Sequence, residues 1–253
     1  MKRQRKILKK IHITRSVVPN LLTLGNIFSG FTAIVYMSQG DFFLGTFYIV
    51  MAAVFDMLDG IVARLLGATS EIGAELDSLC DAVSFGVAPS FMLYKAYFYQ
   101  FDEIGILIAS LPALAGVLRL ARFNVQMTSF DDKLYFRGLP IPGGALTIIS
   151  FVVFYLNDNY FGSYWTGICA FAVSIIVAAV MVSTFKFDNF PRPSLRNFKA
   201  NPIMFIGVLA AFVVGFITWG WSVFPTMMLY IIYSAIKAFV NGIREIRRVK
   251  YDL

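Results

Sequence analysis

The sequence is poor in the residues that usually build soluble active sites. It has one histidine, His12, which lies in a basic stretch at the start of the chain. A histidine base works from inside a pocket with an orienting partner, so His12 is a weak candidate for catalysis. Only two cysteines are present, Cys80 and Cys169, both within apolar segments. Two cysteines build no disulfide framework, and thiols in such surroundings read as buried and free. Charge is scarce as well. It amounts to 15% of the residues, against about 25% in soluble domains, which argues against a soluble fold. No internal repeat and no separate soluble domain is visible. What the chain has in quantity is apolar side chains, 58% of 253 residues, spread over almost its whole length. The expected class is therefore all-α, a polytopic integral membrane protein.

Eight stretches are candidate spans, at roughly 17–38, 43–66, 74–98, 103–127, 142–157, 161–183, 201–220 and 223–243. The fifth is short, and is open to being tilted, re-entrant or extended into the preceding loop. Residues 1–16 form a basic tail, 17–243 the membrane domain, and 244–253 a second basic tail. The opening MKRQRKILKKIHITR is too basic and too long for a cleaved signal peptide. It is expected to stay on the chain and meet anionic lipid headgroups rather than nucleic acid. An eight-span chain returns both termini to one side. The turns near 39–42, 99–102, 158–160 and 221–222 contain no Lys or Arg, whereas the tails and the opposite loops hold 17 of the 22. The positive-inside rule then places both termini in the cytoplasm, at the inner membrane if the cell is bacterial. Lys95, near the outer face, is placed to snorkel.

One stretch breaks the apolar pattern: DMLDGIVARLLGATSEIGAELDSLCD, from Asp56 to Asp81. Asp56 and Asp59 are three apart, and Asp77 and Asp81 four apart, so each pair shares a helix face. Two helices therefore aim four carboxylates at one point. A single Asp at the centre of a membrane helix costs roughly 3 kcal/mol even on insertion scales. The nearby cations are Arg64, Arg119 and Arg122, fewer than the acids. A purely structural charge network is one reading. A metal is the simpler one, and an all-oxygen ligand set suits a hard ion such as Mg²⁺ or Mn²⁺. Two such ions would stabilise both the attacking and the leaving oxygens of a phosphoryl transfer.

Other polar groups gather around this stretch. Asn20, Thr23 and Asn26 recur at three-residue steps in the first span. Their stripe reads either as interhelical hydrogen bonding or as one wall of a site. Gly60, Ala63 and Gly73 allow close helix packing, and Gly60 also lets a phosphate approach the backbone. Arg64 has the fork for a bidentate phosphate contact, or serves as a positive-inside anchor. Thr69 and Ser70 offer hydroxyls in the connection. The fourth span ends RLARFN, with Arg119 and Arg122 on one face and Asn124 close by. An intramembrane arginine is a functional-site hypothesis by default. YFRGLPIPGG follows, with Arg137, Gly138, Leu139, Pro140 and Pro142; the two prolines are expected to keep the chain extended before the next helix.

The Asp56–Asp81 stretch reads D-x2-D-G-x2-A-R-x8-G-x3-D-x3-D without a mismatch. It resembles the signature of the CDP-alcohol phosphatidyltransferases. PNLLTLGN, RLARFN, YFRGLPIPGG and MVSTFKF are similar to the serine-accepting branch of that family, and extend the resemblance over roughly the first three quarters of the chain. The resemblance implies a homodimer with CDP-diacylglycerol and L-serine as substrates. It implies a divalent metal, which falls to Asp56, Asp59, Asp77 and Asp81; the acceptor hydroxyl also needs a base, and Asp81 at the end of the motif is the candidate. Asn20, Thr23, Asn26, Gly60, Arg64, Ser70 and Gly73 fall to CDP-diacylglycerol, and Arg119, Arg122, Asn124 and Arg137 to serine. Glycerol 3-phosphate or an inositol compound as acceptor, or an ether-lipid donor, fits the same signature. An ion-coupled transporter is the reading from another class. It fits less well, because the acids cluster at one face and no inverted repeat is visible.

Overall fold

The computed structural model describes residues 17–68, 70–128, 138–156, 160, 162–183, 214–215 and 217–251. Among the described residues there are helices and turns and no strand.

Helices α1 (Val17–Ser38) and α2 (Phe42–Leu66) form a hairpin. Gly40 turns the chain at φ 90°, and the Asp41 carboxylate caps α2 by accepting from the Leu44 N–H at 2.9 Å. Gly45 lets the helices meet closely, since a side chain there would run into Met37. Tyr36 and Tyr48 stack across the pair at 5.4 Å. At its other end α2 stops on Gly67, left-handed at φ 58°, with the Ala68 N–H returning to the Ala63 carbonyl at 2.9 Å. Ser70 then starts α3 (Glu71–Asp81) as its N-cap, accepting from the Gly73 N–H at 3.0 Å. Stop and start signals only three residues apart fold α3 back beside the end of α2.

From α3 the chain continues through a π-helical segment (Ala82–Val87) into α4 (Ala88–Ala96). The widened turn falls where Pro89 has no N–H to offer the Phe85 carbonyl four residues back. A 3₁₀ turn (Phe98–Phe101) leads to α5 (Asp102–Thr128), then come α6 (Ile141–Phe151), a second π segment (Val152–Leu156), α7 (Ser163–Val182) and α8 (Val223–Tyr251). Phe85, Leu93, Phe98, Ile141, Ile148, Phe151 and Met181 are buried at the centre.

The outer surface is apolar. Phe28 and Phe31 on α1, Phe43 on α2, and Leu107 and Leu118 on α5 are all more than half exposed. Such a surface suits lipid rather than water, and this is a membrane protein. Among the described residues, four helical stretches are long and apolar enough to span a bilayer: Val17–Ser38, Glu71–Ala96, Phe98–Val125 and Tyr164–Val182. Ile141–Leu156 and Val223–Ala238, at the expected fifth and eighth spans, are shorter apolar helices. The expected seventh span lies largely outside the described residues.

One expectation needs correcting. Pro140 is extended (ψ 141°), but Pro142 lies within the first turn of α6, where its missing N–H would have had no helical partner. The glycine before them is fixed by its surroundings. Gly138 has φ 84°, and a Cβ there would overlap the Met181 carbonyl at the end of α7, while the Leu139 N–H donates to the Val180 carbonyl at 3.2 Å.

Candidate active site

The α2–α3 turn brings the acids together. One carboxylate oxygen each of Asp56, Asp59 and Asp77 lies within 4.8 Å of the others. Asp56 and Asp77 approach to hydrogen-bonding contact. Asp81 lies outside this trio, one turn further along α3, close enough to interact with the charges of Asp56 and Asp77. Asp59 and Asp81 are nearly buried, at 6% and 9% exposure.

Helix α1 packs against this cluster through its polar stripe. The Thr23 hydroxyl is 2.7 Å from Asp59 Oδ2 and 3.1 Å from the Pro19 carbonyl. It has one hydrogen, and the shorter contact to a carboxylate is the stronger acceptor. Asn26 Nδ2 donates to Asp81 Oδ1 at 3.1 Å. Asn20 stands at the head of α3, its Oδ1 3.5 Å from where a Gly73 Cβ would lie. The stripe expected to face a nucleotide thus holds two of the four carboxylates directly.

The chemistry of the trio fits a divalent cation. Its donors are all oxygen, which suits Mg²⁺ or Mn²⁺. Asp77 Oδ1 is buried without a hydrogen-bond donor. A buried carboxylate oxygen facing other carboxylates has its charge answered by a metal and by little else nearby.

The remaining expected residues sort by position. Arg64 is exposed and folds back along α2 toward Gly60, its Nη1 3.8 Å from where a Gly60 Cβ would lie. Ser70 faces Gly73 as a helix cap, a role that does not preclude a further contact to its oxygen. Arg119 on α5 is buried at 7% exposure and interacts with the charge of Asp81. Arg122, one turn on, donates from Nη1 to the Val182 carbonyl at 2.9 Å and so ties α5 to the end of α7. Asn124 Nδ2 donates to Ser78 Oγ at 3.1 Å, linking α5 to α3 beside Asp77. Arg137 and Thr69 lie outside the described residues.

Two further residues belong to the site. Ser78 receives Asn124, and the fully buried Ser84 hydroxyl donates to the Asn26 backbone carbonyl at 3.1 Å. Gly30 makes room for Ser84, since a Cβ at Gly30 would overlap the Ser84 hydroxyl. The available signal was position: Ser78 follows Asp77 directly, and Ser84 sits three residues past Asp81.

The surroundings of these residues match known proteins. The family model for CDP-alcohol phosphatidyltransferase covers residues 16–185. A CDP-diacylglycerol–serine O-phosphatidyltransferase of Helicobacter pylori is 36% identical over 220 residues, covering 87% of this chain and 90% of that protein. One from Bacillus subtilis is 33% identical over 186 residues, covering 73% of this chain and 97% of its own. An archaetidylserine synthase of Methanothermobacter thermautotrophicus is 36% identical over 174 residues, 68% of this chain and 70% of its own length. With three signature carboxylates, Asp56, Asp59 and Asp77, brought together from α2 and α3 inside the matched region and Asp81 one turn beyond them, this chain belongs to the CDP-alcohol phosphatidyltransferase family.

Proposed function

We propose that the protein transfers the phosphatidyl group of CDP-diacylglycerol to L-serine, giving phosphatidylserine and CMP. The observation that carries the reaction class is the convergence of Asp56, Asp59 and Asp77 with Asp81 beside them. The acceptor is supported by the names of the relatives, which agree on serine and differ in the lipid part.

In this reading Asp56, Asp59 and Asp77 hold one or two divalent ions, with Asp81 next to them. Bound Mg²⁺ or Mn²⁺ supplies positive charge for the pyrophosphate and for the departing CMP. Arg64 and the bare backbone at Gly60 provide a phosphate contact at the open end of the cluster. Asp81 takes the proton of the serine hydroxyl as that oxygen attacks the lipid-bearing phosphorus; the bond to the CMP oxygen breaks and CMP carries off the charge. Arg119, close to Asp81, is the first candidate for the serine carboxylate, with Arg122 and Asn124 behind it. A panel of acceptors offered one at a time with CDP-diacylglycerol and metal tests the assignment. Serine is expected to release CMP, and release with glycerol 3-phosphate alone would move the protein to another branch of the family.

We further propose eight spans, with the site at the cytoplasmic boundary and both tails on that side. The support for the orientation is the absence of Lys and Arg from the opposite turns; the aromatic group of Tyr155 in the second π segment, Tyr160, Trp221 and Phe224 at the start of α8 fits a membrane boundary on either side. A cysteine placed after residue 251 should resist a membrane-impermeant maleimide in intact cells and react once the cells are opened. Labelling before lysis would reverse the orientation.

A further inference from the structure

Asn26 is fully buried in an apolar helix and is tied at both ends. Its side-chain N–H₂ donates to Asp81 Oδ1, and its backbone carbonyl accepts from the Ser84 hydroxyl, three residues past Asp81 on the same continuous helix. Gly30, one turn along α1, gives up its side chain so that Ser84 fits. The contact therefore has a fixed geometry. It is also incomplete, because Asn26 Oδ1 is buried without a donor. A residue serving only to hold two helices together would be poorly chosen here, since a buried, half-satisfied amide weakens packing that an apolar side chain would complete. What an uncharged amide offers in this place is a donor that orients a carboxylate without neutralising it. A lysine would pair with Asp81, and an aspartate would add to the acids.

We propose that Asn26 is a positioning residue for Asp81, holding one carboxylate oxygen so that the other faces the acceptor hydroxyl. The inference rests on the reading of Asp81 as the base. Asn26 then touches neither substrate and acts on turnover through Asp81.

The test uses the full-length protein purified in detergent, with CMP release followed while both substrates are varied. Asn26→Leu removes the amide and keeps an apolar, similarly sized side chain; Asn26→Asp keeps the shape and exchanges the donor for an acceptor. Thermal unfolding and Mn²⁺ affinity, read by electron paramagnetic resonance, are measured beside the kinetics. For whichever variant melts like the parent, kcat should fall about 10- to 100-fold, the range of one hydrogen bond to a charged group. KM for CDP-diacylglycerol and for serine should stay within about twofold, and Mn²⁺ affinity likewise. In an Asp81→Asn background the same substitution should change the residual rate by less than about twofold, because the group it orients is gone. A rise in the KM for CDP-diacylglycerol at unchanged kcat would make Asn26 a substrate contact and overturn the proposal. If Asp81→Asn is slow but Asn26→Leu turns over like the parent, positioning fails and the base assignment stands. If Asp81→Asn itself keeps the parent rate, the base assignment fails and the role of Asn26 goes with it.

Discussion

Asp56→Asn is expected to lower turnover by about 100- to 1,000-fold, the range seen when one preorganised electrostatic group is removed from a reaction centre. Glu75→Gln should leave turnover within about twofold. The pair makes a controlled comparison because both changes remove one negative charge from the α2–α3 hairpin. Asp56 points into the trio, with its carboxylate against Asp77. Glu75 is exposed and two residues before Asp77, on the far side of α3. A charge network that only holds helices together would show its loss in melting temperature, with turnover following stability. A reaction centre shows the reverse, a protein that melts near the parent temperature and hardly turns over. Equal kinetic losses for the two variants would remove the acids from the chemistry.

Chelation of divalent metal is expected to abolish activity, and Mg²⁺ or Mn²⁺ to restore it. The size of the effect follows from the spacing. Two unit charges no more than 4.8 Å apart repel by at least roughly 3 kcal/mol at an effective dielectric near 20, and the trio contains three such pairs. Without a cation the cluster must take up protons or spread apart, and in either state its geometry for a pyrophosphate is lost. The same repulsion gives a readout independent of turnover: Mn²⁺ should raise the melting temperature of the parent in a concentration-dependent way, and do so much less in Asp56→Asn. Full turnover in metal-free buffer would exclude the metal site.

The acid cluster was legible in the sequence because both carboxylate pairs obey helical spacing and the connection between them is short. Gly67 and Ser70 complete that logic, since the first ends a helix and the second begins one. The family was legible from the same stretch, because its fixed positions are consecutive elements of one hairpin. The partners of the α1 stripe were harder to read. Three-residue steps show that Asn20, Thr23 and Asn26 share a face, but spacing within one helix does not say what a neighbouring helix brings to that face. Here it brings Asp59 and Asp81. Arg122 illustrates the same limit. An intramembrane arginine calls for an anion or an acceptor, and the acceptor found is a backbone carbonyl at the end of α7, which carries no sequence signature. The register of Pro142 was missed for a related reason, since proline suits both an extended strand and a first helical turn.

The π segment after Asp81 gives the long third rod two phases. An i→i+5 turn takes in one residue more than an α-turn, so everything beyond it is rotated by about 100° relative to an unbroken α-helix. Ahead of the shift, the rod presents Asp77 and Asp81 to the acid cluster; behind it, Met92 and Leu93 face the apolar centre. Ser84, inside the shift, reports the phase to α1 by its bond to Asn26. Chemistry and packing therefore make separate angular demands on one continuous helix, and the extra residue lets both be met without a break in the chain.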